Sequence, residues 1–197
     1  MMKSISRIWA RARRSAAGLI EDRSGLAAIE FAMIVPIMLV MFFGTVEFSS
    51  GVAVDRKVTL VARTLADLTS QYTSVATTDT ANFFAASSSI LTPYSSTPTN
   101  AAISELYVNP STLKATVQWS QAYQGGTARA VGSAVTIPSA LAVAGTYLIF
   151  SEVSYLYTPA VGYVMGKAGV TLSDVAYTRP RQSLCVFFSP ATACTTS

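Results

Sequence analysis

The sequence predicts an α+β protein in which a long N-terminal membrane-spanning helix continues into an amphipathic half that packs on a small antiparallel β-sheet. Three observations carry this expectation. The 21 residues from Leu26 to Val46 contain a single charge, Glu30. Val54, Val58, Val61, Leu65, Leu68 and Tyr72 then recur at spacings of 4, 3, 4, 3 and 4, with Asp55, Arg56, Lys57, Arg63 and Asp67 on the other faces. Beyond residue 100 the apolar period shortens towards 2 in segments rich in β-branched and aromatic residues.

The elements follow in order: a basic leader at 1–25, a spanning helix at 26–48, its amphipathic continuation at 49–74, and an outer α+β domain with a C-terminal tail at 75–197. The leader holds Lys3, Arg7, Arg11, Arg13, Arg14 and Arg23 against Glu21 and Asp22, a balance of 6 − 2 = +4 that equals the net charge of the whole chain. The remaining charges cancel, so the charge balance argues against nucleic-acid binding by the folded part. A helix rising about 1.5 Å per residue crosses the roughly 30 Å hydrocarbon layer in about 20 residues, which the Leu26–Val46 run supplies. Arginines on its N-terminal side alone predict a cytoplasmic N-terminus and an outward-facing domain. A cleaved secretory signal shares the basic start and apolar core. This run is longer than a usual signal, and no small-x-small site follows it.

The helical pattern extends from about 25 to about 72, interrupted at most near Pro36 and Gly51. Thr78 and Asp79 are positioned to cap a second helix carrying Phe83, Phe84, Ile90 and Leu91, which should end before Pro93. Residues 92–100 form a Ser/Thr/Pro loop. Ile103, Leu106 and Val108, then Leu113, Ala115, Val117 and Trp119, read as a hairpin; TYLIFSEVSYLYTP and VTLSDVAYTRP supply two more strands. The QGGTARAVGS segment reads as a mobile surface loop. Cys185 and Cys194 are the chain's two cysteines. In an oxidising compartment they could close a loop contributing about 2–3 kcal/mol, and two unpaired thiols are the alternative.

Histidine is absent, which excludes Ser-His-Asp and Cys-His hydrolases and His-based zinc sites. No GxSxG, Walker loop or GxGxxG is present. No spacing singles out a pair of carboxylates for acid–base work. The expectation is therefore a non-catalytic protein without cofactor or metal.

Glu30 needs its own account, because an acidic side chain in mid-bilayer costs about 2.5–3.5 kcal/mol on insertion scales. It could reach the nearby headgroups. The position of Gly25 offers a second reading. A cut after Gly25 would make Leu26 the first residue and Glu30 the fifth, and would create an α-amino group largely protonated at neutral pH. Glu30 of one subunit could then neutralise the amine of a staggered neighbour, fixing register while cancelling two desolvation costs. Pro36 removes a backbone bond to Ala32 and can kink the helix, either as a packing device or as an inert bend. Gly44, Ser49, Ser50 and Gly51 could permit close helix approach. Glu47 should meet water at the outer interface, and Arg179 and Arg181 should be solvated at a strand end.

A basic leader ending in glycine, followed by an apolar helix with glutamate five residues on, is the type IV prepilin pattern, and Gly25-Leu26-Ala27-Ala28-Ile29-Glu30 matches it. The longer string RSGLAAIEFAMIVP, with Phe31 and Pro36, resembles the start of TadE-like pseudopilins of tight-adherence (Tad/Flp) pilus systems. SEVSYLYTP and AYTRPR resemble strand motifs of the same family. The resemblance implies a pilin-like fold and cleavage between Gly25 and Leu26 by a prepilin peptidase. It also implies a role for Glu30 in processing or assembly, and partnership with membrane lipid, other pilins and the Tad assembly platform. The implied location is the inner (cytoplasmic) membrane, single-pass, with a periplasmic domain that can enter a surface pilus used in adhesion or secretion. Phe31 stands where major Flp pilins of this class usually carry Tyr, and those pilins lack a large domain, so the resemblance implies a minor component. Longer TadG-like relatives share the helix and can escape cleavage. The competing reading is an uncleaved single-pass membrane-anchored binding module exposing a periplasmic recognition domain.

Overall fold

The computed structural model describes residues 24–159 and 169–194; the basic leader expected at 1–25 lies outside them except at its last two positions. Helix α1 runs Ser24–Ser70 without a break, with Pro36 inside it. The chain divides into two compact units, Met1–Val46 and Glu47–Ser197, and α1 contributes to both.

In the first unit α1 is apolar all round, and the most apolar stretch of the helix has no buried residue. Leu26, Phe31, Met33, Ile37 and Met41 are all exposed. A helical surface of this kind has no aqueous partner, and its length and composition suit a hydrocarbon layer. It is a single helix able to cross a membrane, among the described residues.

In the second unit the same helix becomes one-sided. Val54, Val58, Val61 and Leu65 are buried completely or nearly so, and Leu68 packs against them. Tyr72 lies just beyond the helix and meets Phe83, with ring centroids 5.0 Å apart. The stripe packs on the inner face of a five-stranded antiparallel sheet of order β4-β3-β2-β5-β6, built from β2 (Thr99–Val108), β3 (Ala115–Tyr123), β4 (Ala134–Val135), β5 (Tyr147–Tyr157) and β6 (Val170–Thr178). Ile103, Trp119, Ile149, Val153 and Tyr155 supply the sheet's side of this core. A polar bond crosses it from the Ser151 hydroxyl to the carbonyl of Ala62 at 2.5 Å. Two short strands, β1 (Ser74–Val75) and β7 (Phe187–Phe188), pair in parallel as a separate sheet.

Helix α2 (Thr77–Ser88) continues into a 3-10 turn at Ser89–Leu91. Its cap differs from the sequence expectation. Ala76 occupies the N-cap, and Asp79, three residues on, accepts from its N–H at 2.8 Å. A carboxylate at the third helical position can reach back to this donor, which Thr78 inside the first turn cannot. The other end is held by Lys57 on α1, whose ammonium donates to the carbonyls of Ile90 and Thr92, each at 2.8 Å. A cation at a helical C-terminus satisfies orphan carbonyls and opposes the dipole. Lys57→Met keeps the stem and removes both bonds, and should lower stability by about 1–2 kcal/mol in urea unfolding of the detergent-solubilised chain.

Both faces of β2 are buried. The register of β2 on β3 shifts between Glu105 and Leu106: Leu106 pairs with Val117, whereas Glu105 pairs with Trp119, leaving Gln118 as an extra residue. This bulge reverses the alternation. Val117 faces the outer side with Leu106, Val108, Leu148 and Phe150 in a second small core, while Trp119 turns inward. Leu113, expected in the hairpin strand, sits in the connecting turn at φ 56° and is exposed.

The outer core is covered by the segment between β3 and β5, part of which was expected to be a mobile surface loop. The segment is instead tied to the sheet. Arg129 makes a bidentate pair with Glu152 at 2.6 and 2.7 Å and lies over Phe150, while its N–H donates to Ser120. Gly126 explains how the segment descends so closely, because a Cβ there would overlap the carbonyl oxygen of Ala101 on β2. Gly126→Ala should push the segment off the sheet at a cost of about 1–3 kcal/mol. Limited trypsin digestion of the folded chain should then cut faster at Arg129.

Candidate functional site

The first candidate site is the opening of α1. Leu26 and Glu30 stand four residues apart, on the same face of the helix. Both are exposed, as is Phe31 beside them. The carboxylate thus projects from an otherwise apolar turn. Gly25 lies in the first helical turn. An added Cβ there would meet nothing within 4 Å among the described residues. Neither steric crowding nor a left-handed backbone asks for glycine at this position. Pro36, about three turns beyond Gly25, has no N–H to offer the carbonyl of Ala32, yet the helix continues for 34 residues beyond it, to Ser70.

The N-terminal surface combines a glycine without a folding role, a carboxylate four residues past the following leucine, and an unburied apolar cylinder. Residues 25–67 match the family model of TadE-like proteins. The match begins at Gly25 and covers 67 − 25 + 1 = 43 of the 197 residues. No curated protein and no solved structure matches the chain. The TadE-like segment takes in Gly25, Leu26, Glu30, Phe31 and Pro36, and ends on the part of α1 that packs against the sheet. It points to a minor pilin associated with a Tad pilus.

Beyond the TadE-like segment the domain holds a polar cluster that no sequence motif marks. Glu105, 1% exposed, lies on the inner face of β2 opposite Trp119. Its Oε1 accepts from the N–H of Val186 at 2.6 Å. The Trp119 indole N–H donates to the carbonyl of the same residue, also at 2.6 Å. Burial pushes the Glu105 carboxyl up to about 8, against the lowering effect of the Val186 N–H and Trp119. The one visible trace in the sequence was the spacing of three between Ile103 and Leu106, which breaks strand alternation and marks a change of buried face.

Two other residues, Glu47 and Gly51, sit differently from their sequence expectations. Glu47 does not meet water; it is 3% exposed. Burial raises the nearby Tyr157 phenol above its ordinary range, Tyr94 and Glu47 add to this, and a hydrogen bond with Ser50 opposes it. Arg181 stays exposed, as expected of a solvated strand end, and its guanidinium also pairs with Asp67 on α1 while its N–H donates to the carbonyl of Ser70 at 2.9 Å. Gly51, considered for close helix approach, is buried within the second unit, Glu47–Ser197. Cys185 and Cys194 form a disulfide.

Proposed function

We propose that this chain is a non-catalytic minor pilin of a Tad-type (type IVb/Flp) pilus, cut by a prepilin peptidase after Gly25 and anchored by a single span with its folded domain outside the inner membrane. The observation that carries the reading is the TadE-like match, which starts at Gly25 on a helix whose most apolar stretch has no buried residue. In the mature chain Leu26 would bear the new ammonium, and Glu30 would serve as counterion for the amine of a staggered neighbour. Lipid surrounds the helix before assembly, and other pilins replace it afterwards. The subunit would act in initiation, assembly or adhesion, through contacts with the Tad platform and other pilins.

N-terminal sequencing of the chain from native membranes and from sheared surface fibres tests this directly. A start at Leu26 in the assembled fraction is expected. An intact Met1 start there would overturn the reading and favour the uncleaved, membrane-anchored binding module.

A further inference from the structure

Val186 is gripped on both sides by the main sheet. Glu105 takes its N–H and Trp119 takes its carbonyl, each at 2.6 Å, from facing positions on β2 and β3. Further along the tail, Phe187 donates to the carbonyl of Thr73 at 3.3 Å and Ser189 to that of Val75 at 2.9 Å. The Phe188 ring rests 5.4 Å from Trp119. None of these contacts involves sulfur.

The two cysteines are placed unequally with respect to this grip. Cys185 immediately precedes Val186 and is 1% exposed, and its carbonyl accepts from the Ser183 hydroxyl at 2.5 Å. Cys194 belongs to an exposed stretch, 189–194. A thiol in apolar surroundings resists ionisation and cannot be approached, whereas an exposed one reacts freely.

We propose that the tail is a fastener closed in a fixed order: the Glu105–Trp119 grip seats Val186 and Cys185 first, and Cys194 is the sulfur through which a thiol-oxidising protein introduces the bond. The Cys194 thiolate attacks one sulfur of the oxidant's disulfide, and the oxidant's other sulfur leaves as a thiolate. Cys185, once deprotonated, then attacks Cys194 Sγ in the mixed disulfide and expels the oxidant's remaining sulfur. Two thiols of the tail lose two electrons and two protons, and the oxidant's disulfide gains both. That an exported oxidant is available rests on the outward placement proposed above; the order of closure does not. The bond is then a lock on a folded domain, and the grip is the device that aligns it.

The test uses the full-length chain in detergent with iodoacetamide as the probe. Cys194 alone, in Cys185→Ser, should be alkylated as fast as in denaturant. Cys185 alone, in Cys194→Ser, should be alkylated roughly 100-fold more slowly when folded than in denaturant, because it reacts only when the tail opens. Adding Trp119→Phe to Cys194→Ser keeps the ring but removes the donor to Val186, and should raise the Cys185 rate about 10-fold. Equal rates for the two folded single-cysteine chains would overturn the proposal. Loss of a cooperative unfolding transition in Cys194→Ser would also overturn it, because the grip must hold without the bond. Unchanged protection in the Trp119→Phe chain would remove the grip as the cause.

Discussion

Glu105→Ala should destabilise the folded α+β domain by about 3–5 kcal/mol, the largest loss expected from any single truncation in it. Two costs combine. The side chain is 1% exposed, so its removal leaves a cavity on the inner face of β2, and the Val186 N–H loses its acceptor in the same buried place. Glu105→Gln separates charge from shape, because its amide oxygen can still accept from Val186. The folded carboxyl holds its proton up to about 8, against an ordinary value of 4.5, so the folded state binds protons more tightly than the unfolded one. The stabilisation from that proton is fully present below about pH 4.5, declines as pH rises, and is gone once pH passes about 8. Urea midpoints of the wild-type chain should therefore fall across this window, and those of Glu105→Gln should stay nearly flat. Tyr147, whose phenol is raised by burial and then by Glu105 and Tyr107, begins from an ordinary value of 10.0, so its titration lies above the window. Parallel midpoint curves for wild type and Glu105→Gln would contradict the assignment of the slope to this carboxyl.

The parts of this fold legible in the sequence are those fixed by local periodicity. The apolar run from Leu26 to Val46 and the stripe Val54, Val58, Val61 and Leu65 specify one continuous helix with two different environments, and α1 shows both. The four long strands were visible because each carries several β-branched or aromatic residues. Strands β1, β4 and β7 have two residues each, too few for any period, and exist through their partners alone. The inward turn of Trp119 depends on the single unpaired position at Gln118, which simple alternation along β3 misplaces. Glu105 was unremarkable in the sequence because its burial is made by residues about 80 positions away in the tail. Lys57 likewise finds its acceptors 33 and 35 residues ahead, beyond the reach of helical spacing rules. At the opening of α1 the reverse holds. Gly25 and Glu30 stand out by sequence position, and the structure adds only that the backbone around Gly25 has room for a side chain.

That room makes Gly25→Phe a clean test of processing. The Cβ of a phenylalanine at 25 meets nothing within 4 Å among the described residues, and phenylalanine is a better helix former than glycine. The substituted chain should therefore fold and insert as the wild type does. A peptidase that must bring the 25–26 peptide bond against its reacting groups sees a different chain, because a bulky side chain beside the bond displaces it. A misplacement of about 1 Å is enough to slow such a reaction roughly 100-fold. With a cognate prepilin peptidase present, Gly25→Phe should accumulate with its Met1-bearing leader, read by intact mass, and should be absent from sheared fibres. Glu30→Gln should separate from it. If the carboxylate serves as counterion for a neighbour's ammonium, its amide can hydrogen-bond the amine but cannot neutralise it in a layer of low dielectric. Trimming to Leu26 would then proceed while incorporation into fibres falls. Trimmed and fully incorporated Glu30→Gln subunits would show that assembly register is set elsewhere on α1.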